Sequence, residues 1–480
     1  MDAAISYNPT KIICTLGPAS VDEGVLRAMI AAGMDLARLN FSHGTHEDHA
    51  AVFAMLQKVA AETCCHIGVI ADLQGPKIRT GELENGRPVQ LEPGATLVIT
   101  TEECIGNAER VSTTYQHLAE DVKPGDRILL DDGLLELEVK AKTRTDVTCE
   151  VIIGGPLNEH KGINLPGVKV SAPSLTEKDR EDLEFALQLG VDYVALSFVR
   201  QPEDILELRG LCRKGLECAP IIAKLEKPEA LARLKEVVQA ADAIMIARGD
   251  LAVELSPEQV PVWQKRIIAE CALHGKPVIT ATQMLESMRN NPQPTRAEAS
   301  DVANAIFDGT DAVMLSAETA IGKYPVETVC MMRRIASVAE QEQSRWKHRE
   351  WLQEPEDAEI SIADAISRAA VTVADEVSAK AIIAFTESGS TARVASKRRP
   401  RVPVLACTPL AATARRCSLY WGVQPILVDK ANGAEDMIRL TTEEVRQRGH
   451  VQTGDRVVLT AGVPMGQPGS TNTVSIETIG

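Results

Sequence analysis

Several short segments put charged and hydroxyl side chains where apolar runs stop. In Ile221-Ile-Ala-Lys224-Leu-Glu226 an ammonium and a carboxylate close one run, and in Ala247-Arg-Gly249-Asp250 a second carboxylate follows another. Residues two apart on a strand share a face, so Lys224 and Glu226 can meet one ligand. Two carboxylates from neighbouring strand ends suit a Mg²⁺ ion, or Mn²⁺ in its place, that keeps waters and takes its other oxygens from substrate. Gly249 lets backbone N–H groups approach an anion. For Lys224 and Glu226 alone, a salt bridge with no chemical task is an equal alternative. It loses ground because other runs end in the same way, in Arg38-Leu-Asn40-Phe-Ser42-His43-Gly44, Asp72-Leu73-Gln74-Gly75-Pro76-Lys77-Ile78-Arg79, Thr280-Ala-Thr282-Gln283 and Ser316-Ala-Glu318-Thr319. Thr282 and Ser316 are assigned positioning of a water or proton relay, because neither hydroxyl titrates near neutrality.

The elements that must carry these groups are short runs rich in Val, Ile and Leu, each followed by a helical pattern, the mark of repeated βα units. Eight such runs occur: Lys11 to Leu16, Asp35 to Asn40, Ile67 to Asp72, Tyr193 to Phe198, Ile221 to Glu226, Ala243 to Ala247, Pro277 to Thr282 and Ala312 to Ser316. The expected fold is α/β, a (β/α)8 TIM barrel whose site lies where strands give way to loops. Between the third and fourth runs the pattern changes to alternating segments, Thr96 to Thr100 and Leu134 to Val139, with turns at Pro93-Gly94, Pro124-Gly125 and Asp132-Gly133. This reads as an inserted small β-barrel domain over 77–173, within a barrel domain of 1–76 and 174–345. A charged stretch from Trp346 to Glu359 leads to a C-terminal α/β domain over 346–480, with strands near Ala381 to Thr386, Val402 to Cys407 and Val457 to Thr460.

Bulk composition narrows the function. The chain has 480 residues, enough for two to four domains. Its formal net charge of -16 and its 3% aromatic content oppose a nucleic-acid partner, which needs cationic surface and stacking platforms. No stretch reaches a membrane span, so no membrane partner is expected. Eleven Cys without paired metal-ligand spacing read as reduced thiols in a cytoplasmic protein. A phosphate-bearing substrate must then be met by local Lys and Arg inside an acidic field.

The segments Lys11-Ile-Ile-Cys-Thr-Leu-Gly-Pro18, Arg38 to Gly44, Ile222 to Glu226, Ala247 to Leu251, Ala281-Thr-Gln-Met-Leu-Glu-Ser287 and Met314-Leu-Ser-Ala-Glu-Thr319 occur in this order along the chain. Together they resemble the pyruvate kinase family, and the likeness runs from about residue 10 to Asn472. The resemblance implies transfer of the phosphoryl group of phosphoenolpyruvate to ADP, then protonation of the enolate to pyruvate. By the family pattern Arg38 grips the substrate phosphate and Lys224 stabilises charge on the moving phosphoryl group. Glu226 and Asp250 match the Mg²⁺ ligands, and the backbone at Gly249 and Asp250 with Thr282 matches the carboxylate-binding edge. Arg79 and Lys161 match residues that meet the nucleotide phosphates, with Asn40 and His43 beside them, and the inserted domain closes as a lid. For His43 a local hydrogen-bond anchor is an equal alternative. A homotetramer is carried over in the same way.

Two departures from the family pattern carry expectations. Members that need K⁺ hold it with oxygens matching Asn40, Ser42, Asp72 and the carbonyl of Leu73, and carry Glu where this chain has Lys77. An ammonium there supplies the charge the ion would bring, so K⁺ is not required. In the third domain Thr386-Glu387-Ser388-Gly389-Ser390-Thr391 forms a hydroxyl-rich loop opening a helix. The family binds effectors here, and members regulated by a sugar bisphosphate carry basic residues near Glu387 and Ser390. The expected effector is a phosphorylated small molecule of the monophosphate class held by Thr386, Ser388, Ser390 and Thr391, against an unoccupied helix cap. The main competing function is a Mg²⁺-dependent pyruvate-enolate aldolase or lyase, which has no use for a nucleotide lid. A binding protein that keeps the fold without activity is opposed by the competent side chain at every catalytic position.

Overall fold

Eight strands, Lys11–Thr15, Leu36–Asn40, Gly68–Asp72, Tyr193–Leu196, Ile221–Leu225, Ala243–Ala247, Val278–Ala281 and Ala312–Leu315, close into one parallel barrel in a computed structural model that describes residues 8–212, 218–343, 360–464 and 471–480. Each strand pairs with the next along the chain, and the eighth returns to the first through Lys11↔Ala312. The strands are apolar on both faces because both are covered. Ile13, Leu36, Ile70, Ile222, Met245 and Ile279 fill the interior, while Val69, Val194, Ile221, Ile244 and Val313 pack outward on the helices.

Several strands stop earlier than the apolar runs suggest. Phe198, Thr282, Glu226 and Ser316 all lie just beyond strand ends. At Phe198 and Thr282 the cause is local, since φ values of 55° and 68° turn the chain out of extended geometry.

The insertion after the third strand is a six-stranded sheet in the order Ile163–Asn164, Arg127–Leu130, Leu135–Lys142, Asp146–Ile153, Thr96–Thr100, Arg110–Ser112. A ribbon of Val89–Leu91 with Gly155–Leu157 lies beside it. The strand ladders are not continuous around the expected small barrel. Residues 79 and 80 span the gap through the isolated bridges Arg79↔Gly162 and Thr80↔Thr113, one at each edge. Gly94, Gly125 and Gly133 take left-handed φ at the three turns read from Pro-Gly and Asp-Gly pairs.

The C-terminal sheet runs Val423–Leu427, Val404–Thr408, Ala381–Phe385, Arg456–Gly462, Thr471–Thr478, with only the last strand antiparallel. The two outer strands were not anticipated. Val423-Gln-Pro-Ile-Leu427 contains a proline, which a sheet tolerates at its edge, and Thr471 to Thr478 is largely polar. The stretch Trp346 to Glu359, most of it the expected link between domains, lies outside the described residues, as do residues 1–7.

This third domain sits under the N-terminal end of the barrel. Leu419 and Tyr420 join the interior core, and Lys11 Nζ donates to the Val423 carbonyl at 2.7 Å. The described cysteines are all free thiols. Among the described residues no helix is long and apolar enough to cross a membrane.

Candidate active site

Lys224 stands at the C-terminal end of the fifth barrel strand, where its ammonium reaches three protein oxygens. Ser197 Oγ lies at 2.7 Å, Glu226 Oε1 at 2.9 Å and Asp72 Oδ1 at 3.2 Å. An ammonium has three N–H groups, so all three are engaged. Burial alone would push its pKa down, but Asp72 and Glu226 more than reverse this and hold it above the ordinary lysine value. Lys224 is therefore a fixed positive charge.

Arg38, midway along the second strand, donates from Nε to Asp72 Oδ2 at 2.7 Å and from Nη1 to Thr15 Oγ1 at 3.0 Å. Asp72 thus lies between two cations. Burial works to raise its pKa, and Lys224 and Arg38 together lower it below the usual carboxylate value. Glu226 is 1% exposed and accepts from the Phe198 amide at 2.9 Å. Its pKa is raised, first by burial and then by the charge of Asp250, against the pull of Lys224. A buried carboxylate repelled by a second, half-buried one is a donor set that a divalent cation relieves, so Glu226 and Asp250 fit the expected metal. Among the described residues no group of three or more His, Cys, Asp or Glu is arranged to hold a metal by itself. That agrees with a site completed by substrate oxygens and water.

At the expected carboxylate-binding edge the groups bond one another. Gly249 lies in the helix Arg248–Glu254, and its N–H donates to Thr282 Oγ1 at 2.8 Å, so this amide is not free. Thr282 in turn donates to the Ala281 carbonyl at 2.7 Å, and Arg248 is held by both oxygens of Asp301 at 2.8 and 2.7 Å. Ser316 Oγ is buried with no hydrogen-bond partner among the described residues, while its amide and that of Leu285 are held by the buried carboxylate of Glu318. An unpartnered hydroxyl at the barrel mouth is a place for a water or a substrate atom.

The oxygens expected to match a K⁺ site are largely committed. Asn40 Oδ1 accepts from the Ser42 amide at 3.2 Å, the Leu73 carbonyl accepts from Ser197 Oγ at 2.7 Å, and Asp72 is shared between Arg38 and Lys224. Lys77 is exposed nearby. With burial as the larger cause, Lys77, Arg79 and Arg38 lower the pKa of His43, so these three cations face the region around it.

The inserted domain meets the barrel across a cleft lined by Pro76, Lys77, Asn164, Phe198, Lys227 and Asp250. Asn164 Nδ2 and Lys227 Nζ both donate to Glu254 Oε1, at 2.9 and 2.7 Å, which joins the two domains. Arg79 donates to the His160 carbonyl at 3.0 Å, and Lys161 is paired with Asp131 at 2.9 Å. A ligand phosphate must compete for Lys161.

In the third domain the expected effector loop divides. Thr386 is buried and accepts from the Gly389 amide, and Thr391 is buried against Thr471 Oγ1 at 2.8 Å. Only Ser388 and Ser390, linked Oγ to Oγ at 3.0 Å, face outward at the start of the helix Ser390–Lys397.

Sequence reasoning missed Ser197, which touches Lys224, Asp72 and the Leu73 carbonyl at once. It also missed Thr15 beside Arg38. The signal was present, since both are hydroxyls at the ends of barrel strands.

Residues 7–329 match the family model described as pyruvate kinase, barrel domain, and residues 364–477 match pyruvate kinase, alpha/beta domain. Similar curated proteins include the pyruvate kinases of Staphylococcus aureus strains MRSA252 and USA300. Each is 45% identical over 474 residues, covering 98% of this chain and 80% of the relative.

Proposed function

We propose a division of labour for a chain that belongs to the pyruvate kinase family and transfers the phosphoryl group of phosphoenolpyruvate to ADP. Arg38 and Lys224 bind the phosphoryl group of the substrate, Arg38 through the guanidinium edge turned away from Asp72 and Thr15. Lys224 is the catalytic cation. What carries this reading is its position, buried between Asp72 and Glu226 with its charge held on. Negative charge on the moving group is met there by an amine that needs no reorganisation.

Glu226 and Asp250 would hold Mg²⁺, which would supply further positive charge against the charge of the substrate. Lys224, whose three N–H groups meet Ser197, Asp72 and Glu226, exchanges one of these partners for a phosphoryl oxygen of the substrate. Thr282 and the backbone at Gly249 and Asp250 orient the substrate carboxylate, which takes the Gly249 amide in exchange for the threonine hydroxyl. Ser316 seats the water that relays a proton to the enolate carbon, a role supported by its unpartnered hydroxyl.

Residues 77–173 act as a lid over this mouth, with 1–76 and 174–345 forming the barrel domain and 346–480 the regulatory domain. Arg79, Lys161, His43 and Asn40 meet the nucleotide, and Lys161 exchanges Asp131 for a phosphate as the lid closes. Activity does not depend on K⁺. In support, Lys77 brings a positive charge to the region, and the oxygens of Asp72 and Leu73 are already taken. The third domain binds a monophosphate at Ser388, Ser390 and the Ser390 amide, with Thr386 and Thr391 shaping the loop from below. The assembly is a homotetramer and works in the cytoplasm, both as the family resemblance implies.

The test of the whole reading is an assay in Na⁺ buffer with Mg²⁺, phosphoenolpyruvate and ADP. Pyruvate and ATP are expected in equal amounts, with no pyruvate when ADP is omitted. A strict K⁺ requirement removes the Lys77 assignment, and calorimetry that finds tight bisphosphate but no monophosphate binding removes the effector assignment.

A further inference from the structure

We propose that Asp179 is a positioning residue for ADP, whose buried carboxylate fastens together the two ends of the inserted domain and so fixes the loop bearing Lys77 and Arg79. The inference rests on the reading that this loop meets the nucleotide phosphates.

The chain leaves the barrel through Gly75 to Ile78 and returns through Val170 to Leu175 into the helix Glu177–Leu189. Asp179 sits in the first turn of that helix and is fully buried. One carboxylate oxygen does the ordinary work of a capping box, accepting from the Thr176 amide at 2.9 Å and the Thr176 hydroxyl at 2.6 Å. A cap needs nothing more. The second oxygen crosses to the other connection and accepts from the Gly75 amide at 2.9 Å.

Gly75 has one seat in which to offer that amide. Its φ is +71°, and an added Cβ would stand 2.7 Å from Phe198 Cδ2 and 3.1 Å from Ser197 Cβ. Two residues earlier the Leu73 carbonyl is held by Ser197, and two residues later the Lys77 amide donates to the Gly75 carbonyl at 2.8 Å. The same helical turn also secures the neighbouring loop. Lys178 Nζ donates to the Phe41 carbonyl at 2.9 Å, and Asp182 binds His46 Nε2 at 2.7 Å. The returning segment is fixed separately by Arg200, which donates to the carbonyls of Val170 and Ala172 at 2.5 and 2.6 Å. One turn of helix at the end of the lid thus sets both loops that present His43, Lys77 and Arg79.

The test compares Asp179→Asn, Thr176→Ala and Arg79→Ala in the full chain, by initial rates with ADP and phosphoenolpyruvate varied in turn and by thermal unfolding. An asparagine has one acceptor oxygen and must abandon either the cap or Gly75. Asp179→Asn is expected to raise KM for ADP about tenfold with KM for phosphoenolpyruvate little changed, since small displacements of binding groups are costly. Thr176→Ala removes the cap alone, so it lowers the unfolding temperature and leaves KM for ADP unchanged. If Thr176→Ala raises KM for ADP as much as Asp179→Asn, or if Asp179→Asn leaves it unchanged while Arg79→Ala raises it, the inference is overturned. If Arg79→Ala also has no effect, the reading of the loop falls, and the inference with it. Should Asp179→Asn fail to fold, Asp179→Glu, which keeps both acceptor oxygens but displaces them by one methylene, must raise KM for ADP, and an unchanged value overturns the inference.

Discussion

At the floor of the barrel, Asp311 is fully buried and accepts from Arg399 at 3.0 Å, from Lys397 and from the Val278 amide at 2.7 Å. Asp192, 1% exposed, is held there by Arg415 Nε at 3.0 and 3.1 Å. At the mouth, Lys224, Asp72, Arg38 and Glu226 are as deeply placed, yet each shares its partners with the next. The floor matches each of these two buried carboxylates with cations of the other domain. The mouth matches two cations with two carboxylates and leaves a third carboxylate, Asp250, pressing on Glu226. Similar residue types make a joint at one end and a binding site at the other. What differs is whether the charges satisfy one another without a guest.

Substitutions at the two ends should therefore fail in different ways. Glu226→Gln is expected to lower kcat about 10²- to 10³-fold, the scale of losing one preorganised electrostatic contact, and to raise the Mg²⁺ needed for half activity, with the unfolding temperature maintained. A normal Mg²⁺ titration would break the comparison at the mouth. Asp311→Ala strands Lys397 and Arg399 at the domain joint and should cost about 3–5 kcal/mol in denaturant unfolding, while kcat of the surviving folded enzyme is unchanged. A fall in kcat without loss of stability would mean that the floor takes part in chemistry.

Smaller effects sharpen the account of the mouth. Lys77→Glu removes the built-in cation and should make activity rise about tenfold on adding K⁺, the scale of a ~1.4 kcal/mol charge interaction, where the native chain is indifferent to K⁺ against Na⁺. The pH dependence of ADP binding follows from His43, whose pKa is lowered first by burial and then by Lys77, Arg79 and Arg38. A phosphate beside it raises that pKa, so ADP binding takes up a proton. Affinity should improve as pH falls through the raised value and level off below the lowered one. In stability the sign is opposite, because the unfolded chain binds this proton more readily, and the contribution is lost as pH falls below the ordinary histidine value. Kinetics of His43→Gln between about pH 5.5 and 8 should be flatter by a few-fold in KM for ADP.

Much of this was legible in the sequence because barrel strands announce themselves twice, as apolar runs and as polar residues where the runs stop. Lys224, Glu226, Arg38 and Asp72 were found in that way, and the geometry brings them together. What stayed hidden depends on contacts between distant segments. Ser197 looked like an ordinary strand end until Lys224, Asp72 and Leu73 converged on it. The bond from the Gly249 amide to Thr282 stayed hidden because nothing local says that a hydroxyl 33 residues on turns toward it. Thr386 and Thr391 read as ligands because a hydroxyl-rich loop gives no sign of which side chains fold inward. The outer strands Val423–Leu427 and Thr471–Thr478 lacked the buried pattern because each is an edge.

The most direct test separates the two halves of the reaction in Lys224→Met. Phosphoryl transfer from phosphoenolpyruvate to ADP and solvent exchange of the methyl protons of added pyruvate are measured side by side, with Mg²⁺ present. Transfer should fall by about 10³-fold or more while exchange persists, since the ammonium serves the phosphorus and Ser316 serves the carbon. Transfer that survives the substitution, or exchange that vanishes in step with it, would contradict the assignment of Lys224.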